Sequence, residues 1–211
     1  GYDNNFLRLS EKEIREDDVV EYGISSTLDS PILKPAVKLI YSPEMIDDKT
    51  INIITSFSYS HFIQAVKKSY LITNLSLELK LRSYSWLKVG IRDIPEYYLR
   101  NYHDRDLSNI DYFNCTFSSQ GYFASYSLPV KWIRKTWMKV YADYTKEYYN
   151  PHFTEFDLDK YMFQFDLNHR TRRQNKMKLS IAHGMAQNIS YGSNLSSTGF
   201  DRSYIFDKVR G

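Results

Sequence analysis

The sequence predicts an all-β chain built as an antiparallel up-and-down meander, and three observations carry that prediction. Apolar and polar residues alternate with period two along most of the 211 residues, which a strand with one dry face gives and a helix does not. Tyr (19) and Phe (12) are abundant while Gly (8) and Pro (6) are sparse, a usage that favours strands. Polar or turn-forming clusters, such as Asp29-Ser30-Pro31 and Thr171-Arg172-Arg173-Gln174-Asn175, interrupt the alternation where hairpins need them.

Residues 1–18 are polar and charge-rich and read as an entry segment; residues 19–211 read as one β domain. The first strand begins at Val20, with Tyr22, Ile24 and Leu28 on one face and Glu21, Gly23, Ser25 and Thr27 on the other. Leu33, Val37, Leu39 and Tyr41 mark a second strand, and Ile51, Ile53, Phe57, Tyr59 and Ile63 a third. The fourth has the cleanest alternation, Leu71, Leu75, Leu77, Leu79 and Leu81 against Asn74, Ser76, Glu78, Lys80 and Arg82. In the fifth, Leu87, Val89, Ile91, Tyr97 and Leu99 oppose Lys88, Gly90, Arg92, Glu96 and Arg100, with Asp93 and Pro95 signalling a strand end or a bulge. Tyr122, Ala124, Tyr126 and Leu128 define the sixth, and Met138, Val140, Ala142 and Tyr144 the seventh. Tyr161, Phe163, Phe165 and Leu167 define the eighth, and Met177, Leu179, Ile181 and Met185 the ninth. A poorly patterned stretch from Tyr204 to Val209 brings the count to about ten strands.

Connections near 83–85, 129–135 and 171–175 are short, whereas those near 100–114, 150–157 and 188–200 are longer. Short turns at one end of a meander and long loops at the other are the pattern of an up-and-down transmembrane barrel. Strands of about ten to fourteen residues also exceed the usual five or six of globular sheets. Alternation alone does not say which face looks outward. Tyr and Trp near strand ends (Tyr41, Tyr59, Tyr84, Trp86, Tyr97, Tyr98, Trp132, Trp137, Tyr148, Tyr149, Tyr161) favour a membrane barrel with aromatic girdles. The alternative is a soluble β-barrel or sandwich that binds an apolar ligand inside its Leu- and Phe-rich face.

In this alternation, and in the opening Gly1-Tyr2-Asp3-Asn4-Asn5-Phe6-Leu7-Arg8-Leu9-Ser10, the chain resembles bacterial outer-membrane β-barrel proteins over roughly residues 19 to 209. The motifs are generic to that architecture. The resemblance implies a location in the bacterial outer membrane, contact with its lipid and with the barrel-assembly machinery, and a role as pore, conduit or membrane anchor of a larger exported protein. Such barrels usually end on a C-terminal aromatic, whereas this chain ends Val209-Arg210-Gly211. The expectation is therefore a fragment with further strands beyond it, and the start at Gly1 without Met suggests a processed product or an excerpt.

On this reading Glu78, Lys80, Lys88, Arg92, Glu96, Lys139, Asp143, Asp166, Arg170 and Lys178 line the lumen, pairing opposite charges between strands. Leu71, Leu75, Leu77, Leu79, Val89, Ile91, Val140, Phe163, Phe165, Leu179 and Ile181 face lipid. No apolar run approaches the roughly 18 residues of a spanning helix. With 28 basic against 25 acidic residues the charge is nearly balanced, and no nucleic-acid module is present. Common phosphate, zinc and hydrolase motifs are absent, the five histidines lack metal-ligand spacing, and the single Cys115 forms no internal disulfide. No metal, cofactor or catalytic residue is therefore expected. An outer-membrane enzyme with loop-borne acid/base groups stands as a third reading; the loop His103-Asp104-Arg105-Asp106 reads first as a solvated connection, with a divalent-cation site through its carboxylates or a share in an acid/base site as the minor alternatives. The basic run Arg170, Arg172, Arg173, Lys176 and Lys178 suits a phosphate or a lipid headgroup, and a solvated hairpin turn accounts for it equally well.

Overall fold

The computed structural model describes residues 1–3, 30–43, 49–103, 112–171, 175–189 and 202–210. These form an 11-stranded antiparallel sheet that does not close on itself. The strands are β1 (Tyr2–Asp3), β2 (Ser30–Leu33), β3 (Ala36–Tyr41), β4 (Thr50–Phe62), β5 (Tyr70–Arg82), β6 (Ser85–His103), β7 (Tyr112–Pro129), β8 (Thr136–Tyr149), β9 (Leu158–Arg170), β10 (Lys176–Asn188) and β11 (Tyr204–Arg210). From β4 onward each strand pairs with the next in sequence, so consecutive hairpins alone build the wall. The expected first strand from Val20, the loop residues Asp104, Arg105 and Asp106, and Arg172 and Arg173 lie outside the described residues.

Several elements differ from the sequence reading. The second strand is two: β2 and β3 both pair with β4 and are separated at Lys34-Pro35. Pro35 has no N–H to give the ladder, yet its carbonyl still accepts from the Tyr59 amide at 3.0 Å. Tyr2 and Asp3, at the start of the polar entry segment, pair with Pro31 and Ser30. The poorly patterned Tyr204 to Val209 stretch is a regular strand on β10, and the 150–157 connection carries a 3-10 helix over Pro151–Phe156.

The largest departure is in β6, whose register against β7 shifts between Ile94 and Tyr97 and again between Tyr98 and Arg100. A bulge inserts a residue and reverses the alternation beyond it. Tyr97 therefore pairs with Phe117 and leaves the face it would share with Val89 and Ile91. Glu96 sits within the bulge, off the paired row that holds Lys88 and Arg92.

Candidate functional site: the two faces of the sheet

Direct cross-strand partners share a face, so the register sorts every strand residue. One apolar row runs Ile51, Leu79, Leu87, Tyr126, Val140, Phe165, Ile181, Val209. A row further along the strands, Ile53, Leu77, Val89, Ala124, Ala142 and Phe163 lie side by side. This face is the exposed one: Leu75 is 47% exposed, Leu77 42% and Phe163 63%. Leu71, Val89, Ile91, Val140, Phe165, Leu179 and Ile181 are exposed with them, and Leu79 is half-buried in the same row.

The apolar band has a defined edge. Thr73 pairs with Asp93, Asp93 with Gln120, Gln120 with Lys146, Lys146 with Asp159 and Asp159 with Gln187, a polar row across six strands. The adjacent row holds Tyr122, Tyr144 and Tyr161, stacked at 6.2 and 4.9 Å between centroids. Tyr144 donates its hydroxyl to Asp159 across that edge at 2.8 Å. An aromatic girdle between apolar and polar zones has this form. From Met177 to Met185 the band measures about 27 Å along β10 at about 3.4 Å per residue. One polar pair interrupts it near the free margin, where His183 Nδ1 lies 2.8 Å from Asp207 Oδ1.

This tyrosine row is not the set of aromatics expected from strand ends. Tyr41, Tyr59, Trp132 and Tyr148 are exposed, but Tyr98 is buried, and Trp86, Tyr97, Trp137 and Tyr149 share rows with polar-face residues. Tyr70, Tyr97, Phe117, Tyr149 and Phe156 instead form a ladder of rings, at 4.8, 5.2, 5.2 and 5.6 Å, across the long-loop end. Phe153 and Cys115 are buried at the same end, and the Asp157 carboxylate accepts from the Tyr149 amide at 2.6 Å. Parity alone would have shown Phe117 and Tyr149 on the Ser119 and Glu147 side; Tyr97 required the bulge.

The opposite face carries small and ionised residues. Ser76, Ser125, Ser127, Asp166, Ser180 and Ala182 on it are buried. Of the residues expected to share a lumen, Glu78 and Lys88 are direct partners, as are Lys139 and Asp166. Lys80, Arg92 and Asp143 occupy the same face by register, as do Lys178 and Arg170 by alternation from Ser180 and Asp166. Asp166 is the most engaged, accepting from Ser180 Oγ at 2.7 Å and Gln164 Nε2 at 2.6 Å, with Lys178 Nζ at 3.1 Å. A pair missed in the sequence, Lys160 and Glu147, lies at 2.6 Å.

No family, curated protein or solved structure matches this chain significantly. Among the described residues no three His, Cys, Asp or Glu side chains are placed to hold a metal ion. The polar face does hold a cavity of about 370 Å³, lined from β6, β7, β8, β9 and β11. Between β9 and β11, β10 presents the small residues Ala182, Gly184 and Ala186, and the Phe206 ring of β11 lies over Gly184.

Proposed function

We propose that this chain forms the wall of an integral β-barrel of the bacterial outer membrane, acting as a pore or conduit or as the membrane anchor of a larger exported protein. One observation carries the reading: the exposed side of the sheet is the greasy side, bounded by a tyrosine row and a polar row, while the side with the charges is the more buried. A soluble barrel or sandwich would hide Leu75 and Leu77, which here are 47% and 42% exposed. In the proposed arrangement Leu71, Leu75, Leu77, Leu79 and Phe163 meet acyl chains, and Glu78, Lys88, Lys139 and Asp166 pair across the wall of a hydrated lumen. Outer-membrane lipid and the barrel-assembly machinery are then its partners, and no catalytic residue is assigned.

The test is reconstitution of the chain into short-chain phosphatidylcholine vesicles, followed by gel migration with and without boiling. Different mobilities of the two samples, with protease resistance of the unheated form, are the expected result. A stable monomer in detergent-free buffer with identical mobilities overturns the reading.

A further inference from the structure

We propose that the polar-face cavity beside Arg92 binds a small organic anion, a carboxylate carried on an apolar or aromatic body. This rests on reading the polar face as the water-filled side of the wall. Four ionised side chains line the cavity, Arg92, Asp143, Glu147 and Lys160. Three of them are already committed. Lys160 Nζ and Glu147 Oε2 are 2.6 Å apart, and Asp143 accepts from the Tyr141 hydroxyl at 2.8 Å and the Thr145 hydroxyl at 2.9 Å. Arg92 has no hydrogen-bond or ion-pair partner among the described residues. Lys160 and Glu147 neutralise one another and each Asp143 oxygen already accepts a hydroxyl, whereas the five N–H donors of Arg92 are open to an anion. The sign of the ligand follows from that asymmetry.

The surroundings set its shape. Gly121 is the direct partner of both Arg92 and Thr145, so the floor between β6 and β8 has no side chain on it. A planar guanidinium takes a carboxylate through two parallel N–H···O bonds. Ser119, which also lines the cavity, adds a hydroxyl donor one row away. Phe117 and Phe206 supply apolar walls. A volume of about 370 Å³ is at the small end of the range for small-molecule sites.

The experiment is titration of the full chain in detergent micelles with benzoate, benzamide and benzylamine by calorimetry, alongside gel migration of the same samples with and without boiling. Saturable binding of benzoate, at least tenfold weaker binding of the other two, and a tenfold or greater loss of benzoate affinity in Arg92→Gln are expected. Arg82→Gln, outside the cavity, leaves affinity unchanged, and Gly121→Leu abolishes binding by filling the floor. Absent benzoate binding, equal binding of all three probes, or an unaffected Arg92→Gln overturns the site. If heat-modifiable migration is present and benzoate binding is not, the anion site alone falls; if migration is unchanged by heat, the wall reading falls and the site with it.

Discussion

The ring of Phe123 on β7 occupies the space above Gly90 on β6 that a side chain would fill. A Cβ built on Gly90 would come within 2.6 Å of both that ring and the Leu75 carbonyl oxygen. Glycine weakens a strand unless a neighbour covers it, and here an aromatic does so; Phe206 covers Gly184 in the same way. Gly90→Ala is expected to destabilise the fold by about 1–3 kcal/mol, the usual range for overpacking. The backbone oxygen keeps Phe123→Leu from rescuing it fully. Urea midpoints of wild type, single and double variants in micelles check this.

The apolar face makes a sharper demand. Leu77→Arg or Phe165→Arg is expected to cost roughly 2–4 kcal/mol in vesicles, because both sit within the apolar band, which on the proposed reading places the cation in hydrocarbon. Lys80→Ala, on the other face, is expected to change stability by less than about 0.5 kcal/mol. Reversible unfolding titrations in vesicles compare the three. Equal effects of the two arginine variants and Lys80→Ala would contradict the assignment of faces.

Asp166 separates a buried charge network from a surface ion pair. Its carboxylate is 3% exposed and engaged by Ser180, Gln164 and Lys178. Asp166→Ala leaves the Ser180 hydroxyl and the Gln164 amide without their acceptor and is expected to cost about 1–3 kcal/mol, the usual cost of stranding buried polar groups. Lys178→Ala is expected to cost about 1 kcal/mol or less, since the Lys178 side chain is half exposed. A double-mutant cycle measures the coupling between them.

Cys115 gives a readout of the long-loop end. Its side chain is 1% exposed, and buried structural thiols are inert. Folded protein is expected to resist maleimide for hours and to label fully in denaturant, as mass spectrometry would report. Phe153→Ala, which removes a fully buried ring at the same end, is expected to admit the reagent to the folded protein and to cost about 3–5 kcal/mol.

The strands that could be read in advance are those where alternation runs unbroken. Leu71 to Leu79, Met138 to Tyr144 and Tyr161 to Leu167 keep in the structure the faces their spacing implies, a register shift between Lys80 and Arg82 ending the first run, and Glu78, Lys88, Lys139 and Asp166 share one face as their alternation suggests. What escaped was whatever depends on a partner strand. The bulge between Ile94 and Tyr97 moves Tyr97 to the other face and takes Glu96 out of its row, and nothing local in Pro95-Glu96 fixes which residue is extra. The Tyr122, Tyr144 and Tyr161 row emerges only once two registers are known, because the tyrosines are far apart in sequence. Tyr204 to Arg210 looked irregular because Asp207 stands between Ile205 and Val209; its pairing with His183 explains why an acid is tolerated there. The Arg92 cavity was legible only as a charged residue on the polar side, since Gly121, which opens it, carries no pattern signal.

The sheet has two raw selvedges. Within the described residues, β3 and β11 each hydrogen-bond along one flank, leaving peptide groups that in a bilayer would lose water and gain no mate. Each such group costs several kcal/mol in hydrocarbon, so a lone hairpin from this chain gains nothing by entering lipid ahead of the rest. On the proposed membrane reading, entry into the bilayer and completion of the seam are expected as one concerted event, with partly inserted species too costly to accumulate.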